Sequence, residues 1–541
     1  MLTPLEVLRL YPAHDGTLAS MLRSRVAVAG AREFLVYQGR SWTYAQVQDE
    51  VARTAAVLAA RGVRAGDRVA VMSANHPSSV FALMALAGLG ATMVPINPDY
   101  GIEEARYVLG HAEVCGVIAS PAALATVYGA CDGLAMMPWL MQNEAGAGPA
   151  GKPVLPVLAR EAQDTSSATM PQAAADPQAT CVFIYTSGTT GFPKGVMHSQ
   201  RSLLTAGEGF VERMYLQPEE RLLCVLPMFH INAIFYSFAG ALAAGATLIL
   251  EPRFSASQFW ATVKATGATE VNTIAAASSI LIRRPRSEYV PGHHLQKVYG
   301  APFDEEIYRV FQQEFQVPTL IEGYGMSEIP GALNNPFPGP HKVRSMGTPS
   351  RHPDPAVALA ELRIAGETGE FLAPGQVGEL VVRTPIVMQG YYKDEAQTRA
   401  AFRDGWFLTG DLAYVDTDSY FWFVARKKDI IRKRGENISG AELDRVIGSH
   451  PAVLEAAAIA VPSELGEDDI LVAVVPRPGM VLRHEDIASW CREHLAAIKV
   501  PRFVALVDAL PHTPTHRVAK FKLRDDASVR AAAVDLQAPR D

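Results

Sequence analysis

A chain of 541 residues is too long for one ordinary core and predicts about three to four packed units. With 49% apolar and 19% charged residues it can bury a large core, which excludes global disorder. The net charge of −7 argues against non-specific nucleic-acid binding, which needs a basic surface, but leaves room for one local cationic cluster that holds a nucleotide.

From the N-terminus, MLTPLEVLRLYP carries Glu6 and Arg9 inside its apolar stretch and reads as a poor signal peptide. Residues 80–96 and 231–250 approach membrane length. Gly88, Gly90 and Pro95 break the first; Asn232, Tyr236, Ser237, Gly240 and Gly245 interrupt the second. Both are expected to be a buried helix, a glycine turn and a buried strand, with no integral membrane segment. The same Gly-Ala-Thr junction between an apolar helix and a β-rich run occurs at Gly90, Gly245 and Gly267. Helices alternating with short apolar strands predict parallel sheets covered on both faces, and the near-repeat predicts two similar α/β subdomains.

Residues 142–180, rich in Ala, Pro, Gly, Ser and Gln, read as a surface loop or linker. Beyond about residue 374 the strands shorten (VGELVVRT, YFWFVARK). After the charged run RKKDIIRKRGENISG comes a compact α+β pattern: a helix near 441–448, strands near 453–461 and 470–475, and a helix near 484–497. The expected architecture is a large α/β N-terminal domain, 1–427, and a small mobile α+β C-terminal domain, 428–541. Cysteines 115, 131, 181, 224 and 491 form no CxxC pair or Cys/His cluster, which reads as reduced thiols in the cytoplasm.

The strongest local signal is the run Tyr185-Thr186-Ser187-Gly188-Thr189-Thr190-Gly191-Phe192-Pro193-Lys194-Gly195, between the strand-like runs CVFIY and GVMHS. Hydroxyls, glycines and one lysine make a loop with many donors and little bulk, suited to phosphate oxygens. It is not the GxxxxGK[ST] phosphate loop, since Lys194 is followed by Gly195. Taken alone, the run is equally an ordinary Ser/Thr/Gly hairpin.

It is not alone. RSWTYAQV and VRAGDRVAVMSANHP precede it, and LPMFHINA (226–233), YGAPF (299–303), EGYGMSE (322–328), WFLTGD (406–411), ARKKDIIRKRGENISGAELD (425–444) and PHTPTHRVAKFKLR (511–524) follow it in order. With the hydroxyl loop, these resemble the motifs of the adenylate-forming superfamily of acyl-CoA synthetases, adenylation domains and luciferases, over nearly the whole chain. FSASQFW and the 421–444 run look most like the crotonobetaine/carnitine–CoA ligase subgroup.

The resemblance implies an ATP-dependent carboxylate–CoA ligase that forms an acyl-AMP, releases pyrophosphate, and passes the acyl group to coenzyme A. It implies that Thr186, Ser187, Gly188, Thr189, Thr190, Gly191 and Lys194 cradle the pyrophosphate end of ATP. Gly300, Ala301, Pro302, Glu322, Gly323, Tyr324 and Gly325 would meet the nucleotide, Tyr324 by stacking on adenine. Ser327 would touch the α-phosphate and Glu328 would hold Mg²⁺. Asp411 would accept the ribose hydroxyls, with Arg426 nearby. His230 and Asn232 would line the acyl pocket, although a lone histidine in an apolar run is more often a core residue. Lys428 matches the hinge, and Arg434 and Gly435 match the segment that meets coenzyme A. The plain alternative for this basic run is a solvated charged face, and Lys433 reads that way.

The chain departs from the pattern in two places. Ala425 stands where Gly is usual before Arg426. In the C-terminal motif the usual Gly-Lys pair is His516-Arg517, so an arginine occupies the position of the catalytic lysine, with Lys520 three residues later. Arg517, Lys194, Ser327, Glu328 and His230 make up the expected catalytic set, with Arg517 also meeting ATP. Two other readings follow: an acyl-AMP ligase delivering to a carrier-protein thiol, and a non-catalytic nucleotide- or acyl-binding homologue, which the Arg517 departure favours. The expected partners are a small or medium carboxylate, coenzyme A and a second copy of the chain, with no nucleic acid.

Overall fold

The computed structural model describes residues 1–165, 176–186, 193–433, 436–463, 467–512 and 518–536. Its contacts divide the chain into two compact units. One is Met1–Leu362 with Val382–Phe407; the other is Arg363–Val381 with Leu408–Asp541.

The first unit is α/β, with two mainly parallel sheets. In the seven-stranded sheet, Thr180–Thr186, Thr92–Ile96, Arg68–Met72, Gly116–Ala119 and Trp139–Gln142 run parallel. Lys194–Ser199 and Gly390–Tyr391 add to one edge antiparallel. In the nine-stranded sheet, Thr319–Met326, Lys297–Gly300, Glu270–Asn272, Arg221–Cys224, Thr247–Leu250 and Glu33–Tyr37 run parallel. Antiparallel strands finish both of its edges.

The glycine junctions behave as expected. Helix Pro77–Gly88 is buried all round, as its continuous apolar sequence demands. Gly90 then takes φ +71° and Thr92–Ile96 enters the sheet with every residue buried. Gly245 at φ +70° does the same between Ala239–Ala244 and Thr247–Leu250. Tyr44–Ala60 shows the other kind of helix. Thr43 and Gln46 form its capping box, and Val47, Val51, Ala55 and Leu58 make one buried stripe. Each such Val or Leu contributes about 1.5–3 kcal/mol on burial. Among the described residues no helix is long and apolar enough to cross a membrane.

Residues 142–165 are not the structureless linker expected. Gln142 and Asn143 are buried, and Leu158–Asp164 is a helix. Leu158 and Ala162, one turn apart, are buried, and Glu161 pairs with Arg61 at 2.7 Å. A short i, i+4 stripe among polar residues was too weak a period to detect. Residues 166–175 lie outside the described residues.

In the second unit, Val453–Pro462 pairs antiparallel with Asp468–Pro476, which pairs parallel with Phe503–Leu506; Ala533–Asp535 closes the sheet. Helices Gly440–Gly448 and His484–His494 contribute Leu443, Ile447, Ile487 and Cys491 to its core. The ribbon Ile430–Lys433 with Glu436–Ser439 corrects the reading of Lys433 as solvated. Its strand alternates, so Ile431 and Lys433 point inward together. Lys433 is buried and its Nζ lies 2.9 Å from Asp469 Oδ1, while Arg502 holds the other Asp469 oxygen at 3.3 Å. A buried ammonium survives because it is paired.

Candidate active site

In the first unit, the ends of several strands carry the expected residues. Thr180–Thr186 and Lys194–Ser199 form a hairpin whose last pair is Thr186↔Lys194. Those two residues therefore flank the loop directly. Ser187, Gly188, Thr189, Thr190 and Gly191 lie outside the described residues. Lys194 donates through Nζ to Gln397 Oε1 and sits 5.3 Å from the centre of the Tyr391 ring.

Thr319–Met326 and Ile329–Asn334 form a second hairpin, with Met326 opposite Ile329. Ser327 and Glu328 are thus the two turn residues. Glu328 is only 8% exposed. The Tyr391 hydroxyl donates to Glu328 Oε1 at 2.8 Å, and the Met388 amide donates to the Glu328 carbonyl at 2.8 Å. Among the described residues Glu328 has no ion pair. A sheltered hard carboxylate without a counter-cation is a donor set that fits Mg²⁺. Behind the turn, His198 is fully buried and its Nε2–H donates to the Ser327 carbonyl at 2.7 Å. Burial lowers the His198 pKa to about 4, so the ring is neutral near pH 7.

Gly300 ends Lys297–Gly300, and Ala301-Pro302 follow it. A Cβ on Gly300 would lie 2.6 Å from Phe303 and 2.8 Å from Thr273, so no side chain fits there. Glu322 holds this turn. Its carboxylate accepts from Phe303 N at 2.8 Å, Arg344 N at 3.1 Å and Tyr308 OH at 3.2 Å. Burial nonetheless pushes its pKa up to about 7. Tyr324 is half-buried on the same strand as Gly323 and Gly325. A Cβ on Gly325 would meet Gly331 N at 2.5 Å and Tyr236 OH at 2.8 Å, which lets the strand pass close to its neighbours.

LPMFHINA leaves Arg221–Cys224 and enters a π-helix, Asn232–Phe238, a form often found at functional sites. His230 is half-buried, its ring 4.5 Å from that of Phe229. Asn232 Oδ1 is buried and has no hydrogen-bond partner among the described residues. Asn75 pins this segment: its Nδ2 donates to the Leu226 carbonyl at 2.9 Å and its Oδ1 accepts from Met228 N at 2.7 Å.

In the second unit, Asp411 faces Arg426 across a strand pair. Asp411 is fully buried, and Arg426 Nε lies 2.8 Å from its Oδ1. Lys428 lies in the turn Lys427–Asp429. Arg524 Nη2 donates to the Lys428 carbonyl and to Asp429 Oδ1, each at 3.0 Å. Lys520 Nζ is 2.5 Å from Asp444 Oδ2. Arg434, Gly435 and Arg517 lie outside the described residues. The five cysteines are free thiols, four of them buried.

Tyr391, Gln397, His198 and Asn75 were not singled out from the sequence. His198 and Asn75 stand inside quoted runs, GVMHS and VMSANHP, but nothing local marks their roles. Tyr391 and Gln397 lie about 200 residues from Lys194, and no local pattern connects them.

The chain matches the AMP-binding enzyme family over residues 22–392 and the AMP-binding enzyme C-terminal domain over residues 442–517. It is similar to the sulfoacetate–CoA ligase of Cupriavidus necator, at 32% identity over 96% of this chain and 99% of that one. It is similar to the oxalate–CoA ligase of Arabidopsis thaliana, at 32% identity over 93% of this chain and 97% of that one. Among solved structures, ATP-bound MatB from Rhodopseudomonas palustris superposes with a TM-score of 0.83 at 26% identity, covering 94% of this chain and 98% of that one.

The chain belongs to the AMP-binding, adenylate-forming enzyme family, with its large N-terminal and small C-terminal domains. Within it, the protein is an ATP-dependent carboxylate–CoA ligase working through an acyl-AMP.

Proposed function

We propose that this ligase activates a small or medium, polar carboxylate, with Lys194, Ser327 and Glu328 at the phosphates and His230 and Asn232 beside the acid. The observation that carries the phosphate assignment is the grouping of Glu328 and Lys194 on one tyrosine, Tyr391. Support for a polar acid comes from the buried side-chain amide of Asn232, whose Oδ1 has no hydrogen-bond partner among the described residues. The names of the sulfoacetate and oxalate ligases point the same way.

In the first step a substrate carboxylate oxygen attacks the α-phosphorus of ATP and pyrophosphate leaves. Lys194 neutralises charge at the pyrophosphate end, where negative charge builds. Glu328 would hold Mg²⁺, which when bound supplies a positive charge shared by the phosphate oxygens. His198, neutral and donating to the Ser327 carbonyl, fixes the turn that presents Ser327 and Glu328. Glu322 positions the adenine-side turn, its own oxygens being engaged by Phe303, Tyr308 and Arg344. In the second step the coenzyme A thiol gives its proton to solvent, its sulfur bonds to the acyl carbon, and the acyl carbon–oxygen bond breaks so that AMP leaves with that electron pair. We assign Asp411 and Arg426 to ribose, Arg434 and Gly435 to coenzyme A, Lys428 to the pivot at the 1–427/428–541 boundary, and Arg517 to the first step. The free, unpaired thiols support a cytoplasmic setting.

Carboxylate-dependent pyrophosphate release, measured across short polar, aromatic and long-chain acids with thioester formation followed in parallel, tests the reading. Short polar acids are expected to give the highest kcat/KM. A preference for long-chain acids would overturn the substrate class.

A further inference from the structure

We propose that Tyr391 is a positioning residue for the phosphate end of the site, its hydroxyl orienting Glu328 and its ring face orienting Lys194. The inference rests on the reading of Glu328 as the metal carboxylate and Lys194 as a phosphate contact.

The local architecture holds Tyr391 in place from several directions. Gly390–Tyr391 is a two-residue strand on the edge of the seven-stranded sheet, with Tyr391 in register with Val196 and Gly390 with Met197. Lys194 starts the strand they pair with. Gly390 takes φ +145°, and a Cβ there would meet Thr398 at 2.9 Å. The Tyr391 amide donates to Thr398 Oγ1 at 2.9 Å, and that hydroxyl donates to the Asp394 carbonyl at 2.8 Å. Asp394 caps helix Glu395–Ala400 through the Gln397 amide, at 3.0 Å. Gln397 then accepts from Lys194 Nζ. One short segment therefore delivers two groups to Lys194, the ring of Tyr391 and the amide oxygen of Gln397. It delivers one group, the Tyr391 hydroxyl, to Glu328.

The chemistry suits this double task. A phenol can donate to one carboxylate oxygen and leave the other oxygen's lone pairs for a cation. A phenol is protonated near pH 7, so the Tyr391 hydroxyl is a donor to Glu328 as it stands. The ring face attracts the ammonium without neutralising it, so Lys194 keeps its full charge for a phosphate. An aspartate in place of Tyr391 would pair with Lys194 and repel Glu328.

The experiment uses the full chain and separates the hydroxyl from the ring. ATP binding is measured by calorimetry in EDTA and across a Mg²⁺ titration, with thermal unfolding followed alongside. Tyr391→Phe keeps the ring and the packing. Its ATP affinity in EDTA is expected to match the parent, while the Mg²⁺ concentration for half-maximal enhancement rises roughly tenfold, as expected for losing a hydrogen bond to a charged group. Tyr391→Leu removes the ring too, so its ATP affinity in EDTA also falls severalfold. Gln397→Leu is expected to lower affinity in EDTA and leave the Mg²⁺ midpoint unchanged. The reference variant Glu328→Gln decides which idea fails. If it raises the Mg²⁺ midpoint and Tyr391→Phe does not, the positioning role is overturned and the metal reading stands. If Glu328→Gln leaves the midpoint unchanged, the metal reading fails and the positioning inference falls with it. A fall in melting temperature with both binding readouts unchanged makes Tyr391 structural only and also overturns the proposal.

Discussion

Arg517 is the residue on which the chain departs most from its family's pattern. The usual lysine acts there as a cation, not as a proton donor, so an arginine can supply the charge, though its planar fork demands a different pocket shape. Lys520 is the competing cation, and its 2.5 Å pair with Asp444 engages it within its own unit. Asp444 in turn accepts from the Ala458 amide at 2.6 Å, which ties Lys520 to the sheet of that unit. Arg517→Ala is therefore expected to abolish carboxylate-dependent pyrophosphate release, with thioester formation from supplied acyl-AMP largely retained. Lys520→Ala should lose stability more than rate. Swapped outcomes would make Lys520 the catalytic cation.

Glu270 gives a second prediction at this scale. It is fully buried, and neither carboxylate oxygen has a hydrogen-bond partner among the described residues. Its neighbour in register, Lys297, is paired with Glu220 at 2.5 Å. Burial, with the Glu220 charge adding to it, raises the Glu270 pKa well above the ordinary 4.5. Below pH 4.5 the folded and unfolded chains both hold this proton. Above it, the unfolded chain releases the proton while the folded chain keeps it, so this group makes stability fall as pH rises toward its folded pKa. The slope is about 1.4 kcal/mol per pH unit for one proton. Glu270→Gln should flatten that fall. Its melting temperature relative to the parent should climb from pH 5 to pH 8, and a constant difference would show that Glu270 does not titrate as described.

Among the elements, the segment that carries His230 and Asn232 depends on a residue of the other sheet. Asn75 follows Arg68–Met72 of the seven-stranded sheet, yet its side chain holds Leu226 and Met228, just after Arg221–Cys224 of the nine-stranded sheet. Asn75→Ala leaves the buried Met228 amide unpaired, at a cost of about 1–3 kcal/mol, and leaves the Leu226 carbonyl with only the weak Cys224 thiol donor at 3.5 Å. Because the freed segment carries His230 and Asn232, KM for the carboxylate should rise severalfold while KM for ATP changes little. Equal rises in both would mean that Asn75 supports the fold generally. The elements themselves were largely legible. The three glycine junctions, the alternation of helix and strand, and the α+β pattern after residue 440 all stand in the structure. The helix Leu158–Asp164 was not legible, because two apolar residues one turn apart are too few to set a period. Lys433 was misread because a strand's alternation, not its charge, decided which way it points.

At the scale of the whole molecule, one active site must support two different reactions, adenylation and thiol attack. We place the pivot between them at Lys428, in the turn Lys427–Asp429, where the Lys428 carbonyl is held by Arg524. Lys428→Pro keeps that carbonyl and locks φ near −65°, which removes the freedom a pivot needs. Pyrophosphate release should persist and acyl-CoA formation should fail. Equal loss of both half-reactions would make the residue structural.

Read alone, the sequence was enough to determine the α/β class and the adenylate-forming family, because those signals are local runs with fixed spacing. Only the tertiary structure decided that Tyr391 joins Glu328 to Lys194, that Asn75 holds the His230 segment, that Glu322 turns its carboxylate onto Phe303 and Arg344, and that Lys433 is buried. Each of those facts depends on strands brought into register from distant parts of the chain. Side-chain partners across such pairings are set by packing and hydrogen-bond satisfaction in three dimensions, which no local period records.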